Sequence, residues 1–134
     1  MKESLEITVL LNETAENLFK AWLDSSDHGK FTGSKAVIDP SLNGRFSAWD
    51  GYITGITVAL DPYHKIVQKW RTTDFEEKDD DSMLELVFER QGRKTKLILR
   101  HYAIPEGQGD EYRKGWEDFY VKPMQEFYNR KGKK

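Results

Sequence analysis

The sequence predicts an α+β fold in which a curved antiparallel sheet of about six or seven strands is covered by one long C-terminal helix. Three observations predict it. A succession of short alternating segments, parted by Gly, Pro, Asn and Asp turns, fills the middle of the chain, and strands joined by short turns make an antiparallel meander. One alternating strand and one amphipathic helix precede them. Beyond them, from Asp110 to Arg130, Tyr112, Trp116, Phe119, Tyr120, Met124 and Phe127 recur at spacings of three and four, the period of a helix with one apolar face.

Each element has its own signal. Leu5, Ile7, Val9 and Leu11 alternate with mostly polar neighbours, as in a half-buried strand. Thr14 is placed to cap a helix from about Ala15 to Ser25, with Leu18, Phe19, Trp22 and Leu23 on its inner face. The polar stretch SSDHGKFTGSK ends that helix and supplies a short helix or loop. The strands that follow are Ala36 to Asp39, Arg45 to Trp49, Tyr52 to Leu60, Lys65 to Thr72, SMLELVFE and TKLILRHY. Asp50-Gly51 marks a tight hairpin, Asp61-Pro62 a stop, and Gln91-Gly92 another turn. Alternation turns Ile56, Val58 and Leu60 inward, then Leu84, Leu86 and Phe88, then Leu97, Leu99 and His101. Asp110 is the expected cap of the final helix. Pro123 lies inside that helix, where proline lacks an N–H and costs about 3 kcal/mol, so a bend that fits the helix to the sheet is expected there. Gly115 weakens it by about 1 kcal/mol and permits close backbone approach.

With 134 residues, the chain 1–134 is expected to form a single domain. Its net charge of −2 argues against a sequence-independent nucleic-acid binder, which needs a basic face, so no nucleic-acid partner is expected. The absence of cysteine excludes disulfide and thiolate chemistry. No signal region or membrane span is evident, and a cytoplasmic location is expected. His28, His64 and His101 lie too far apart for a zinc motif. Glu76, Glu77, Asp79, Asp80 and Asp81 lack calcium-loop spacing and read as a solvated, mobile tip, and NRKGKK reads as a frayed basic tail. No nucleophile elbow or phosphate-cradling loop is present. No metal, cofactor or catalytic residue is therefore expected.

The stretch NGRFSAWDGYITGITVALDPYHKIVQKWR carries Gly44, Phe46, Gly51, Gly55, Pro62, Lys65, Ile66, Val67 and Trp70. TKLILRHYAIP is followed by YRKGWEDFYVKPMQEF. In this order the segments resemble the family of activator-of-heat-shock-protein-ATPase homologues, within the START-like (SRPBCC, birch-pollen-allergen-like) superfamily. The resemblance spans nearly the whole chain. It implies a helix-grip fold, in which the sheet grips the C-terminal helix. It also implies three functional classes, since superfamily members bind apolar molecules between sheet and helix, act as co-chaperones of the ninety-kilodalton heat-shock chaperone, or are cyclases.

The leading expectation is a non-enzymatic domain that holds a small apolar ligand. Its expected ligand-binding residues are Trp49, Trp70, Phe88, His101, Trp116, Phe119, Tyr120 and Met124, with Arg45, His101 or Tyr120 supplying polar groups. The aromatic stripe also has a plainer reading as a helix face buried on the sheet, worth about 1.5–3 kcal/mol per large side chain. One end of the helix can pack while the other roofs a cavity. A heat-shock chaperone is the alternative partner. A cyclase-like enzyme is the second alternative, and His101 is its only inward histidine.

Overall fold

The computed structural model describes residues 2–132, without the side chains of residues 130–132. Its elements are β1 (Glu3–Leu11), α1 (Ala15–Leu23), α2 (Ser25–Thr32), β2 (Val37–Ile38), β3 (Arg45–Ala48), β4 (Ile53–Asp61), β5 (Lys65–Thr72), β6 (Ser82–Gln91), β7 (Lys94–Ile104) and a helix α3 over 109–132. The strands form one antiparallel sheet in the order β1-β7-β6-β5-β4-β3-β2, so the first strand closes against the last. This is the predicted helix-grip arrangement. Of the basic tail 129–134, α3 takes in residues as far as Gly132, while Lys133 and Lys134 lie outside the described residues.

Alternation places Leu84, Leu86, Phe88, Leu97, Leu99 and His101 in the core as expected. β4 is different. Ile53, Gly55 and Thr57 share the inner face with their partners Thr72, Trp70 and Gln68, while Ile56 lies opposite the exposed Lys69. Ile56 and Val58 are therefore not the inward residues. The inner places go to groups with specific work. Thr57 Oγ1 accepts from Gln68 Nε2 at 3.1 Å, and Gln68 Oε1 accepts from the Trp22 indole N–H at 3.3 Å. A Cβ at Gly55 would run into the Lys69 carbonyl and stand 2.5 Å from the Phe46 ring. A bulge between Thr57 and Ala59 shifts the phase, so Leu60 does meet the buried Ile66.

Thr14 caps α1 as predicted, its Oγ1 accepting from Asn17 N at 3.1 Å. The polar stretch after it becomes α2, because Asp24 accepts from Asp27 N at 2.9 Å and Gly33, at φ 80°, ends the helix in the left-handed region. α3 is not capped by Asp110. Glu3 reaches across from β1, and its carboxylate accepts from Gly107 N at 3.0 Å and Gly109 N at 2.7 Å. These two N–H groups hold the Glu3 carboxyl below its ordinary pKa.

The buried stripe of α3 is Tyr112, Trp116, Tyr120, Met124 and Tyr128, with every step four residues. An α-helix turns 3.6 residues per turn, so each such step drifts by roughly 40°. A π-helical turn, Glu117–Val121, takes up part of that drift, with Lys122 N–H bonding to the Glu117 carbonyl. Pro123 follows the turn after one intervening residue, Lys122, where the hydrogen-bond register is already changing. The expected irregularity is a π turn beside the proline. Phe127 is half-buried, and Phe119, at 54% exposure, stands off the stripe.

The acidic loop is not merely a solvated tip. Arg71 donates to Asp81 Oδ1 at 2.8 Å, to the Asp79 carbonyl at 3.0 Å and to the Glu76 carbonyl at 2.9 Å. Within that clasp Phe75 is buried against Trp70 and Tyr112.

Candidate functional site

A cleft of about 290 Å³ opens between the β3–β4 hairpin and the first half of α3. Its sheet side is Trp49, Tyr52, Ile53 and Trp70, and its helix side is Tyr112, Gly115, Trp116, Phe119 and Tyr120. The rings stand in edge and tilted contact. Trp49 meets Phe119 at 5.4 Å between centroids, Trp70 meets Trp116 at 5.5 Å, and Trp70 meets Tyr112 edge-on at 5.1 Å. Tyr52 and Phe119 are partly exposed at the mouth.

The hairpin sets Trp49 in place at a conformational cost. Trp49, Asp50 and Gly51 have φ of 52°, 55° and 90°. Glycine takes the left-handed region freely, but a bulky residue there stores strain of about 1–3 kcal/mol. Tyr52 N bonds back to the Trp49 carbonyl at 3.2 Å and Asp50 N to the Lys35 carbonyl at 3.1 Å, holding the turn. Among the described residues, Trp49 Nε1 is the buried side-chain N or O atom without a hydrogen-bond partner. It acts on the Tyr120 hydroxyl, opposing the strong upward push of burial on that group's pKa, but outside hydrogen-bond geometry.

Two buried histidines back the helix side, and their neighbours fix opposite tautomers. An indole N–H only donates, so Trp116 Nε1 at 3.0 Å makes His101 Nδ1 the acceptor. His101 Nε2–H then donates to Ser82 Oγ at 2.8 Å, and Ser82 donates to the Trp70 carbonyl at 2.6 Å. At His28 the Trp22 carbonyl takes Nδ1–H at 2.9 Å, leaving Nε2 to accept from the Tyr120 hydroxyl at 2.8 Å. Burial lowers the pKa of His101 to about 3 and of His28 to about 4, so both are neutral.

The structure thus brings Trp49, Trp70, Trp116, Phe119 and Tyr120 to one cleft. Three expected site residues lie elsewhere. His101 sits behind the wall with both ring nitrogens engaged. Met124 is buried a full turn beyond Tyr120. Phe88 packs on Phe19 and borders a second, polar hollow of about 750 Å³ beside the start of α1. Arg45 is exposed on β3 and does not reach the cleft. Sequence reasoning missed Tyr52, Ile53, Tyr112 and Gly115 as lining residues, and His28 as the support of Tyr120. The Asp24 and Asp27 pair was the available signal for α2 and hence for a buried His28. Among the described residues, no cluster of His, Asp or Glu could hold a metal, and no helix is long and apolar enough to cross a membrane.

The sequence pattern of the family described as Activator of Hsp90 ATPase homolog 1-like protein matches residues 12–128. Among curated relatives, activator of 90 kDa heat shock protein ATPase homolog 2 of Mus musculus is 29% identical over 114 residues, covering 85% of this chain and 34% of the relative. Homolog 1 of Homo sapiens is 25% identical over 113 residues, covering 84% and 33%. The chain thus spans about a third of the length of these curated relatives. Among solved structures, an HSP90 activator from Plasmodium falciparum superposes with a TM-score of 0.83 at 30% identity, covering 92% of this chain and 94% of that one. The Aha1 dimer from Colwellia psychrerythraea, at 11% identity and a TM-score of 0.77 over 98% and 99% of the two chains, shares the fold. With the grip topology and a family match over residues 12–128, the chain belongs to the Activator of Hsp90 ATPase homolog 1-like family, within the START-like fold.

Proposed function

We propose that the chain binds a small apolar molecule in the cleft between the β3–β4 hairpin and α3. The observation that carries this is a hollow of about 290 Å³ walled almost entirely by aromatic rings. Interiors normally close-pack, and ligand sites are mostly apolar hollows that begin at about this size. Trp49, Trp70, Trp116, Phe119 and Tyr120 form the walls, and each Å² of apolar surface they bury contributes about 25 cal/mol. The test is the native mass of the protein after incubation with an extract of its own cells and gentle repurification. A retained small-molecule mass is expected. It should vanish in Gly115→Leu, because a side chain at residue 115 meets nothing within 4 Å as it starts into the cleft. A bare chain mass for the unaltered protein would count against ligand binding.

A second reading is that of a co-chaperone-like module that contacts a heat-shock chaperone and modulates its ATPase. It is favoured by the 30% identity to the solved HSP90 activator, of which this chain covers 94%. A purified ninety-kilodalton chaperone should then hydrolyse ATP at a changed rate when the chain is added. No change at saturating concentration would dismiss this reading. Both readings take residues 1–134 as one cytoplasmic START-like domain, and neither requires it to catalyse a reaction.

A further inference from the structure

The cleft's walls and rim bear on the charge of what it would hold. Seven of the nine lining residues are aromatic, and none is lysine or arginine. Ring faces carry the negative side of a quadrupole and attract cations. Several of the donors that could have served an anion are already engaged. Trp116 N–H is held by His101, Tyr112 O–H donates to Gln108 Oε1 at 2.6 Å, and Tyr52 O–H donates to Asp74 Oδ2 at 2.6 Å. Trp49 N–H, buried beside Tyr120, is left without a partner.

The rim has a sign as well. Asp74 accepts from the hydroxyl of the lining Tyr52 at 2.6 Å, and Glu111 directly precedes the lining Tyr112 on α3, both carboxylates acting on these two hydroxyls. The nearby cation of β5, Arg71, is occupied by Asp81 and the loop carbonyls. An anion entering here would meet aromatic walls and acids, with the unpaired Trp49 N–H as a donor, whereas the walls and the acids favour a cation.

Resting on the ligand reading above, we propose that the cleft selects an organic cation, a compact methylated or quaternary ammonium on an apolar body. Two probes of equal shape isolate the charge: para-hydroxyphenyl-trimethylammonium and para-tert-butylphenol, titrated at slightly acidic pH while the indole N–H signals of Trp49, Trp70 and Trp116 are followed by NMR. The cation should bind at least about fivefold more tightly, as an ion–π attraction of about 1 kcal/mol gives. Asp74→Asn and Glu111→Gln should reduce that advantage and leave the phenol's affinity unchanged, and added salt should do the same. Equal or tighter binding of the neutral phenol would overturn the charge preference while leaving the cleft as a ligand site. Failure of both probes to shift the indole signals would overturn the ligand reading, and this inference with it.

Discussion

The two halves of α3 bury side chains of the same kind and reach opposite results. Beyond the π turn, Tyr128 packs against Phe31 of α2 and Met124 is buried on the same stripe, and neither lines the aromatic cleft. Before the π turn, Tyr112 and Trp116 face a hairpin whose Trp49 is held at a left-handed φ, and a cleft remains between them. The difference lies in the opposing surface. The second half lies against α2 and β1, and Phe31 of α2 meets Tyr128, whereas the first half faces a strained turn fixed by backbone hydrogen bonds. An aromatic stripe at helical spacing therefore becomes core or the wall of a cleft according to what faces it.

The largest expected effect separates wall from rim. Trp116 is buried in the first half and donates to His101, so Trp116→Ala should lower stability by about 3–5 kcal/mol. Phe119, more than half exposed three residues on, should cost under about 1 kcal/mol as Phe119→Ala, yet weaken binding in the cleft. Urea midpoints of the two variants check this. Equal losses would mean that Phe119 is as much a structural member as Trp116, and the division of the helix would fail.

Next in size is a pH effect from the two histidines, on α2 and β7, that back the helix. His101 supports Trp116 and His28 supports Tyr120, with folded pKa values of about 3 and about 4 against an ordinary 6.5. The unfolded chain therefore binds more protons below pH 6.5, and stability falls as pH drops through the window from about 6.5 toward 4. Between about pH 7 and about pH 5 the two together should cost about 4 kcal/mol. Denaturant titrations at the two pH values measure it, and His101→Gln should remove about half of the slope. A flat profile would show that neither histidine is held neutral.

Much of this was legible in the sequence, and the illegible part has identifiable causes. Leu84, Leu86 and Phe88, then Leu97, Leu99 and His101, are inward because nothing breaks their two-residue period. On β4 the apolar Ile56 and Val58 alternate just as well as Gly55 and Thr57, and only Gln68, Phe46 and the bulge decide between the two faces. Those are contacts between distant positions, absent from any local pattern. Glu3 capping α3 from the far end of the chain is the same kind of fact. In the site, the large aromatics of the cleft could be named because their bulk demanded a place. Tyr52, Tyr112 and Gly115 could not, since lining a cleft depends on what is missing opposite them. Phe88 by its strand alternation and Met124 by its helical spacing are read as inward, and both are buried away from this cleft.

A smaller effect tests the support of the wall at the π turn. Tyr120→Phe removes the O–H that His28 Nε2 accepts and leaves that buried nitrogen unpaired, at a cost of about 1–3 kcal/mol. Tyr52→Phe removes a bond to the exposed Asp74, where water can replace it, and should cost well under about 1 kcal/mol. Thermal unfolding of both variants gives the contrast, and a reversed order would place the structural hydroxyl at the mouth of the cleft.

The smallest effect has the opposite sign. Gly115 lies within the first half of α3, and a Cβ built there meets no atom within 4 Å. A glycine inside a helix ordinarily costs about 0.5–1 kcal/mol relative to alanine, through the freedom the unfolded chain loses on folding. Gly115→Ala should therefore raise stability by that amount, since nothing in the fold needs the missing side chain. Gly109 is the internal control, because a Cβ there would stand 2.5 Å from Glu3 Oε1, and Gly109→Ala should destabilise through the displaced cap. If Gly115 is free of any structural duty, the space beside it is open because the cleft is open. A Gly115→Ala variant that is more stable but binds its probe less tightly would tie that glycine to the ligand. One that loses stability would instead mean that α3 sits closer to the hairpin in solution, with the cleft closed.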